Sequence, residues 1–163
     1  MIINSQGSDV KKVLIVQFST RGKIDEMANF IAEGIRFSGL KAVVKKISDI
    51  NNSEDIAGYD GYIFGSPTFS LDIPNPVKLF LSMIKETNLE NRLVGTFGPY
   101  LHDASYQHSG HAPSLILDIL GRENKMNPFD LGALSLKEDI VETREGMKAC
   151  QEYGRIFGQI LSA

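Results

Sequence analysis

Apolar runs and amphipathic stretches alternate along most of this chain. The apolar run at residues 13–18 predicts a strand that is buried on both faces of a parallel sheet. Behind a short polar loop, apolar residues recur three and four positions apart, which predicts an amphipathic helix. The buried stripe of this helix is expected to consist of Ile24, Met27, Ala28, Ile31, Ala32 and Ile35.

Four later segments have the pattern of strands. They lie at residues 42–47, 61–64, 93–97 and 129–136, and the first of them is less apolar than the run at 13–18, which predicts an edge strand. Helices are expected to start at Asn75, to follow residue 111, and to cover residues 143–161 at the end of the chain. The chain therefore predicts strands and helices in alternation.

Capping and stop signals set the expected ends of these elements. Gly39 and Gly121 are expected to end the helices before them. Ser53 is expected to cap a short turn, and Asn75 to cap a helix that has Pro76 at its first position. The inward-facing residues are expected to be Val77, Phe80, Leu81 and Ile84 in the second helix and Leu115, Ile116, Ile119 and Leu120 in the third.

This alternation predicts an α/β fold with a doubly wound, five-stranded parallel sheet in the order 2-1-3-4-5 and helices on both faces. No linker or repeat divides the 163 residues, so we expect one domain, with residues 1–10 as a loose N-terminal arm. Ligands bind such sheets beyond the carboxyl ends of the strands, where the strand order reverses. The loops at 19–24, 66–72 and 98–111 are expected to meet there.

Charge and composition narrow the possible partners. The net charge is −3 and the lysines and arginines are scattered, which argues against a nucleic-acid surface. No apolar run has the length of a membrane span, and the N-terminal residues lack the pattern of a signal peptide. Cys150 is the single cysteine, so no disulfide framework is possible, and it is expected to be a core thiol. We expect a cytoplasmic protein without nucleic-acid or membrane partners.

The first loop carries donors for a phosphate group. Ser19 and Thr20 offer hydroxyls, Gly22 allows close approach of the backbone, and the helix start offers free amides. Hydrogen bonds to a charged group stabilise by about 1.5–3 kcal/mol each, whereas the helix dipole adds about 0.3–1 kcal/mol, so the donors dominate. The loop lacks the three-glycine and Walker patterns, and an ordinary capped turn is the alternative. Arg21 and Lys23 either add charge to the site or are solvated.

The other two loops carry aromatic and histidine residues. Phe69 is expected either to cover one face of a planar ring or to pack under its loop, and Tyr100 is a second candidate for ring stacking. A metal site is disfavoured because its possible ligands lie in one loop; the histidines either line a pocket or are solvated. These ligands are His102, Asp103, His108 and His111. The three loops together predict a pocket for a mononucleotide with a large flat ring, such as flavin mononucleotide (FMN).

From Val13 onward the chain resembles the flavodoxin family. Residues 19–24 resemble the phosphate loop S/T-x-x-G-x-T, and residues 60–68 are similar to the third strand and second flavin loop. Residues 65–68, 72–73, 97–100 and 150–154 resemble the flavodoxin module of flavodiiron proteins, whereas residues 106–111 are similar to the third loop of flavodoxin-like NAD(P)H:quinone reductases. The chain departs from the family pattern in having Ile24 for the last threonine, no tryptophan and only a mild negative charge.

The resemblance implies a noncovalently bound FMN. Its phosphate would be held in the first loop, one side of its ring would lie against the second loop, and the other side against the third. In that order, the residues carried over are Ser19, Thr20, Arg21, Gly22, Lys23 and Ile24; Pro67, Thr68, Phe69 and Ser70; and Gly98, Pro99, Tyr100, Leu101 and His108.

Two functions follow from the resemblance. The first is an electron carrier between redox partner proteins, which needs no catalytic side chain. The alternative is an FMN-dependent NAD(P)H:quinone reductase, or a related oxidoreductase of small electron acceptors, in which His108 orients the acceptor or the nicotinamide. A receiver domain shares the strand order but needs acidic residues where this chain has Ser19-Thr20 and Gly65-Ser66. The sequence leaves the redox potential and the oligomeric state open.

Overall fold

The computed structural model describes residues 10–18, 22–67, 75–100 and 112–163. Within them, the strands are β1 (Lys12–Gln17), β2 (Lys41–Lys46), β3 (Gly61–Gly65), β4 (Leu93–Tyr100) and β5 (Asn127–Lys137). The helices are α1 (Gly22–Phe37), α2 (Asn75–Lys85), α3 (Ala112–Glu123), α4 (Glu138–Val141) and α5 (Arg144–Ser162), and two 3-10 turns cover Ile47–Asp49 and Ser53–Asp55.

The five strands form one parallel sheet in the order β2-β1-β3-β4-β5, which confirms the predicted topology. β1 and β3 lie at its centre, where β1 is buried after its first residue and β3 throughout. β2 lies at an edge and is only half-buried, as its composition predicted. The strand order reverses beside β1, so the carboxyl ends of β1 and β3 flank the switch point.

Each face of the sheet has its own apolar core. On one face α1 and α5 pack together, and all six residues of the predicted α1 stripe are buried there with Cys150 and Phe157. On the other face α2 and α3 cover the sheet through Val77, Phe80 and Ile116 among others. α1 buries one apolar stripe, as its sequence period predicted. In the described residues, no helix combines the length and the apolar character that a membrane span requires.

Glycines let α1 and α5 approach until their backbones touch. A β-carbon on Gly34 would lie 1.9 Å from the carbonyl oxygen of Gln151, and one on Gly154 would lie 2.1 Å from that of Ile31. No side chain fits at either position without moving a helix apart from its neighbour. The contact therefore fixes the position of α1, whose first turn lies next to the end of β1.

β5 departs from regular pairing with β4. Val94 lies opposite Pro128, but Thr96 lies opposite Ala133, so extra residues of β5 bulge out between these pairs. Gly132, in the bulge, has a φ of +73°, which glycine adopts without strain. The hydroxyl of Tyr153 fills the space above Gly95 and donates to the carbonyl of Gly132 at 2.5 Å. A side chain of α5 therefore replaces some of the pairing that the bulge removes.

The structure corrects the predicted boundaries of the third helix. α3 continues through Gly121 to Glu123, and the turn that follows has Lys125 at a positive φ of 54°. Gly121 does not end the helix; its missing side chain leaves room for Pro128, because a β-carbon would lie 3.0 Å from Cγ of that ring. The predicted inward face is also wrong in part, since Leu115 is 46% exposed and Leu117 is buried.

Two other predictions need correction. Asn52, not Ser53, caps the 3-10 turn at Ser53–Asp55, because its side chain accepts a hydrogen bond from the amide of Glu54 at 2.9 Å. β4 does not stop at residue 97 but runs on through Tyr100. Its last residues were expected in a loop, and their pairing with β5 keeps them in the sheet.

Candidate functional site

Hydrogen bonds hold the carboxyl ends of β1, β3 and β4 side by side. The amide of Phe18 donates to the carbonyl of Gly65 at 2.7 Å, and the amide of Ser66 donates to the carbonyl of Phe97 at 2.9 Å. Each bond extends the ladder by one residue beyond the regular pairing. We call these strand ends, with the start of α1, the carboxyl edge. This edge is where the topology predicts a ligand site.

Two glycines allow close packing at the carboxyl edge. A β-carbon on Gly65 would lie 2.2 Å from the ring of Phe97, which is fully buried. A β-carbon on Gly98 would lie 1.8 Å from the carbonyl oxygen of Ser66. The first residue after β3 therefore lies against the backbone of β4 near its carboxyl end.

The start of α3 is tied to β4 by a buried side chain. The hydroxyl of Thr96 donates to the carbonyl of Pro113 at 2.7 Å, and a β-carbon on Gly98 would lie 2.9 Å from the ring of that proline. The first turn of α3 thus lies against the carboxyl end of β4. Both ends of the connection between β4 and α3 are therefore at the carboxyl edge, although residues 101–111 themselves lie outside the described residues.

α1 begins directly beside the end of β1. The buried side chain of Gln17 donates to Oδ1 of Asp25 in the first turn of the helix. Ile24 is 1% exposed and packs in the core, so only its backbone is left to face a ligand. The first amides of a helix have no partner within the helix, and they carry its partial positive charge. The start of α1 therefore offers donors to an anion.

Lys23 forms an ion pair instead of pointing freely at this site. Its Nζ lies 2.5 Å from Oε1 of Glu142, the residue that ends α4. The bond to Glu142 raises the pKa of Lys23, and the same bond holds the pKa of Glu142 below its usual range. The positive charge that the sequence assigned to the phosphate site is therefore matched by a carboxylate.

Glu26 adds a second carboxylate beside this pair. Its Oε2 is buried and has no hydrogen-bond partner among the described residues. Burial raises the pKa of Glu26, as does the charge of Glu142, while Lys23 acts in the opposite direction. The beginning of α1 thus combines one ammonium group with two carboxyl groups.

The end of β4 presents one aromatic side chain. Gly98, Pro99 and Tyr100 pair with residues 135–137 of β5, and only Tyr100 in this group is half-buried rather than buried. After β3, Ser66 is still buried, and the next residue, Pro67, is half-buried. Among the described residues predicted to flank a ring, Pro67 and Tyr100 therefore have side-chain surface left for a ligand.

The other predicted contacts fall on segments that the structure does not describe. They are Ser19, Thr20 and Arg21 in the first loop, Thr68, Phe69 and Ser70 in the second, and Leu101 and His108 in the third; His102, Asp103 and His111 also lie outside. In the described residues, no group of three or more histidine, cysteine or acidic side chains is placed to hold a metal ion.

The sequence did not predict the polar groups that lie beside the start of α1. Gln17 gave a local signal, because a polar residue near the end of an apolar strand must find a partner once it is buried. Glu142 gave no such signal, since more than a hundred residues separate it from Lys23 in the chain. Only the packing of α4 against α1 brings these two side chains together.

The chain is similar in sequence to proteins named diflavin flavoprotein A and to one named NAD(P)H dehydrogenase (quinone). It is 28% identical over 163 residues to a putative diflavin flavoprotein A 3 from Synechocystis, a match that covers 98% of this chain and 26% of the relative. It is 28% identical over 126 residues to an NAD(P)H dehydrogenase (quinone) from Acidithiobacillus ferrooxidans, covering 65% of this chain and 63% of that relative. No protein-family model matches the chain. The chain thus spans about a quarter of the Synechocystis relative.

The fold is similar to solved structures of flavodoxins and flavodiiron cores. A flavodoxin from the domain Archaea superposes with a TM-score of 0.77 at 23% identity, covering 93% of this chain and 99% of that one. The Flv1 flavodiiron core from Synechocystis superposes with a TM-score of 0.76 at 26% identity, covering 98% of this chain and 38% of that one. The chain therefore has a flavodoxin-like fold, which confirms the resemblance carried by its motifs.

Proposed function

We propose that this protein binds FMN noncovalently at the carboxyl edge and carries electrons between redox partner proteins. The observation that carries this proposal is the joining of the ends of β1, β3 and β4 at the switch point, with the start of α1 beside them. Flavodoxin-like proteins carry electrons to partner proteins, and the likeness to proteins named flavodoxin and diflavin flavoprotein supports the same role here. When bound, a flavin supplies the one- and two-electron chemistry, so no side chain need react.

The fit to FMN rests on the chemistry of the donors at the carboxyl edge. The amides of Lys23 and Ile24 lie at the start of α1, where a phosphate finds hydrogen-bond donors and a favourable dipole. Tyr100, half-buried at the end of β4, provides an aromatic face for a flat ring. Both groups suit a ligand with a phosphate at one end and a ring at the other.

We assign the remaining contacts to the end of β4 and to the loops that leave this edge. Beside the amides of Lys23 and Ile24, the phosphate contacts are Ser19, Thr20, Arg21 and Gly22; the ring contacts are Pro67, Thr68, Phe69, Ser70, Gly98, Pro99, Tyr100, Leu101 and His108. Because Gly98 and Pro99 are buried within β4, they shape the floor of this site, and Tyr100 meets the ring.

The phosphate should dominate the affinity. Each hydrogen bond to a charged group contributes about 1.5–3 kcal/mol, so two such bonds amount to roughly a hundredfold or more in binding. Riboflavin has the same ring as FMN but no phosphate. It therefore provides a matched ligand that reports on the ring contacts alone.

Titration of the apoprotein with each flavin, followed by flavin fluorescence, tests this function. We expect FMN to bind with a dissociation constant of about 1 μM or tighter and riboflavin to bind at least about a hundredfold more weakly. Equal affinities would contradict a phosphate site at the start of α1. The absence of FMN binding at micromolar protein would remove the proposed function altogether.

A second candidate is an FMN-dependent NAD(P)H:quinone reductase or a related oxidoreductase of small acceptors. The match to an NAD(P)H dehydrogenase (quinone) supports it, together with the resemblance of residues 106–111 to the third loop of such reductases. Rapid mixing of the oxidised FMN complex with NADH or NADPH separates the two functions. Bleaching of the visible flavin absorption within seconds supports the reductase, whereas an unchanged spectrum supports the carrier.

We infer that the partners are redox proteins or small electron acceptors and that the protein acts in the cytoplasm. Because the chain spans only part of its sequence relatives, the activities of those longer proteins do not transfer to it directly. The net charge of −3 supports only weak electrostatic steering toward a basic partner. Reduction of cytochrome c or rubredoxin by the chemically reduced FMN complex would support a carrier with broad partner use.

A further inference from the structure

Lys23, in the first turn of α1 beside the proposed phosphate site, forms an ion pair. Lys23 lies in the first turn of α1, and its Nζ is 2.5 Å from Oε1 of Glu142, at the junction of α4 and α5. The side chains are 31% and 56% exposed, so water reaches the pair without separating it. The ammonium group is therefore held by the residue that follows α4, the short helix after β5.

The charges around Lys23 are predominantly negative. Glu142 contacts it directly, and Glu26 and Glu138 attract it through space. Oε2 of Glu26 is buried without a hydrogen-bond partner among the described residues, so Lys23 does not satisfy this carboxyl group fully. A phosphate at the start of α1 would lie beside these carboxylates. Carboxylates repel a nearby phosphate, and dissolved salt weakens this repulsion.

We propose that Glu142 is a positioning residue that holds the Lys23 ammonium in an ion pair and thereby keeps FMN affinity below the value that the loop could reach. This inference rests on the proposed function. It differs from the resemblance to known flavodoxins, which assigns Lys23 to the phosphate and gives Glu142 no role. The backbone amides and hydroxyls hold the phosphate, while the Lys23–Glu142 pair sets how strongly it is retained.

We expect one variant to affect the two flavins differently. Glu142→Gln removes one carboxylate charge and weakens the hold on Lys23, so FMN should bind about three- to tenfold more tightly at low salt. Riboflavin, which lacks the phosphate, should bind with unchanged affinity. The gain for FMN should shrink as the ionic strength rises toward 1 M, because salt screens the charges.

A double variant tests whether the effect passes through Lys23. When Glu142→Gln is added to Lys23→Met, the gain in FMN affinity relative to Lys23→Met alone should be less than half of the gain that Glu142→Gln gives in the wild-type protein. Glu145→Gln is the matched control, because it makes the same change in net charge on an exposed residue three positions further along. This control should change FMN affinity by less than twofold. Glu142→Ala provides a second test in case the glutamine keeps its bond to Lys23.

The outcomes separate this inference from the proposed function. A tighter FMN complex in Glu142→Gln or Glu142→Ala, with riboflavin unchanged, supports the inference. FMN binding that is equal in wild type and both variants, or that rises equally in Glu145→Gln, would overturn the inference and leave the proposed function standing. Absence of FMN binding in wild type would overturn both.

Discussion

The carbonyl oxygen of Ser66 lies 1.8 Å from the position that a β-carbon would take on Gly98. The contact joins the first residue after β3 to a residue inside β4, at the edge where we propose that the flavin ring lies. The amide of Ser66 also donates a hydrogen bond to the carbonyl of Phe97, the residue before Gly98. The spacing of these two strand ends is therefore set by backbone atoms.

Gly98→Ala tests this spacing. The added methyl group meets a backbone carbonyl that cannot rotate away, so the strand end or the following loop has to shift. We expect a loss of about 1–3 kcal/mol in the free energy of unfolding, measured by urea denaturation, and FMN affinity at least about tenfold lower. Gly121→Ala is the milder control, since its methyl group meets a side-chain ring at 3.0 Å and not a backbone carbonyl at 1.8 Å, and the helix favours alanine. Wild-type stability and FMN affinity in Gly98→Ala would refute this interpretation.

Tyr153→Phe tests the support that α5 gives to the bulge in β5. The hydroxyl of Tyr153 accepts from the amide of Thr96 at 3.2 Å and donates to the carbonyl of Gly132 at 2.5 Å. Burial raises the pKa of this hydroxyl, so it remains protonated and able to donate. Its removal should lower the free energy of unfolding by about 1–3 kcal/mol, because buried polar groups lose a partner. The half-buried Tyr59→Phe is the control, and equal losses in the two variants would contradict the argument.

The pH dependence of stability tests the placement of Glu26. Burial and the nearby charge of Glu142 raise the pKa of Glu26 above its usual value of 4.5, so the folded state binds the proton more tightly than the unfolded state. This group therefore favours folding less as the pH rises from 4.5 through the raised pKa. Glu26→Gln should be more stable than wild type at pH 7, and the difference should vanish near pH 4.

Thermal melting at several pH values makes this comparison. Glu90→Gln, at an exposed position, is the control and should follow the wild-type curve. If Glu26→Gln were destabilised at pH 7, the carboxylate would have to be stabilised in the folded state, contrary to its buried oxygen without a partner.

The single cysteine reports on the core between α5 and the sheet. Cys150 is completely buried, and burial raises the pKa of its thiol from 9.0 to about 12. Because the thiolate is the reactive form, we expect the native protein at pH 8 to react with Ellman's reagent at least about a hundredfold more slowly than the protein unfolded in guanidinium chloride. Rapid titration of one thiol in the native protein would show that α5 does not cover this part of the core.

The sequence was a good guide wherever a local pattern determined the structure. The α1 stripe, the end of that helix near Gly39, and the parallel order of the sheet all follow from periodicity and from the alternation of elements. The third helix was less well predicted. Its sequence contains apolar residues on more than one face, and only packing against the sheet decides that Leu117 is inside and Leu115 is outside.

The candidate site was predictable in position but not in its charges. The ends of β1 and β3 meet because topology requires it, and the glycine-containing loops mark them in the sequence. The partner of Lys23 could not be predicted, because Glu142 reaches it only when α4 packs beside α1. The extension of β4 through Tyr100 was also missed, since pairing with β5 overrides the turn signal of Gly98 and Pro99.

A crystal structure of the protein grown with FMN tests the central claim most directly. We expect the phosphate on the amides at the start of α1 and the ring beside the ends of β3 and β4, next to Tyr100. A flavin bound elsewhere on the molecule, or a carboxyl edge closed by the protein's own side chains in the presence of saturating FMN, would contradict it.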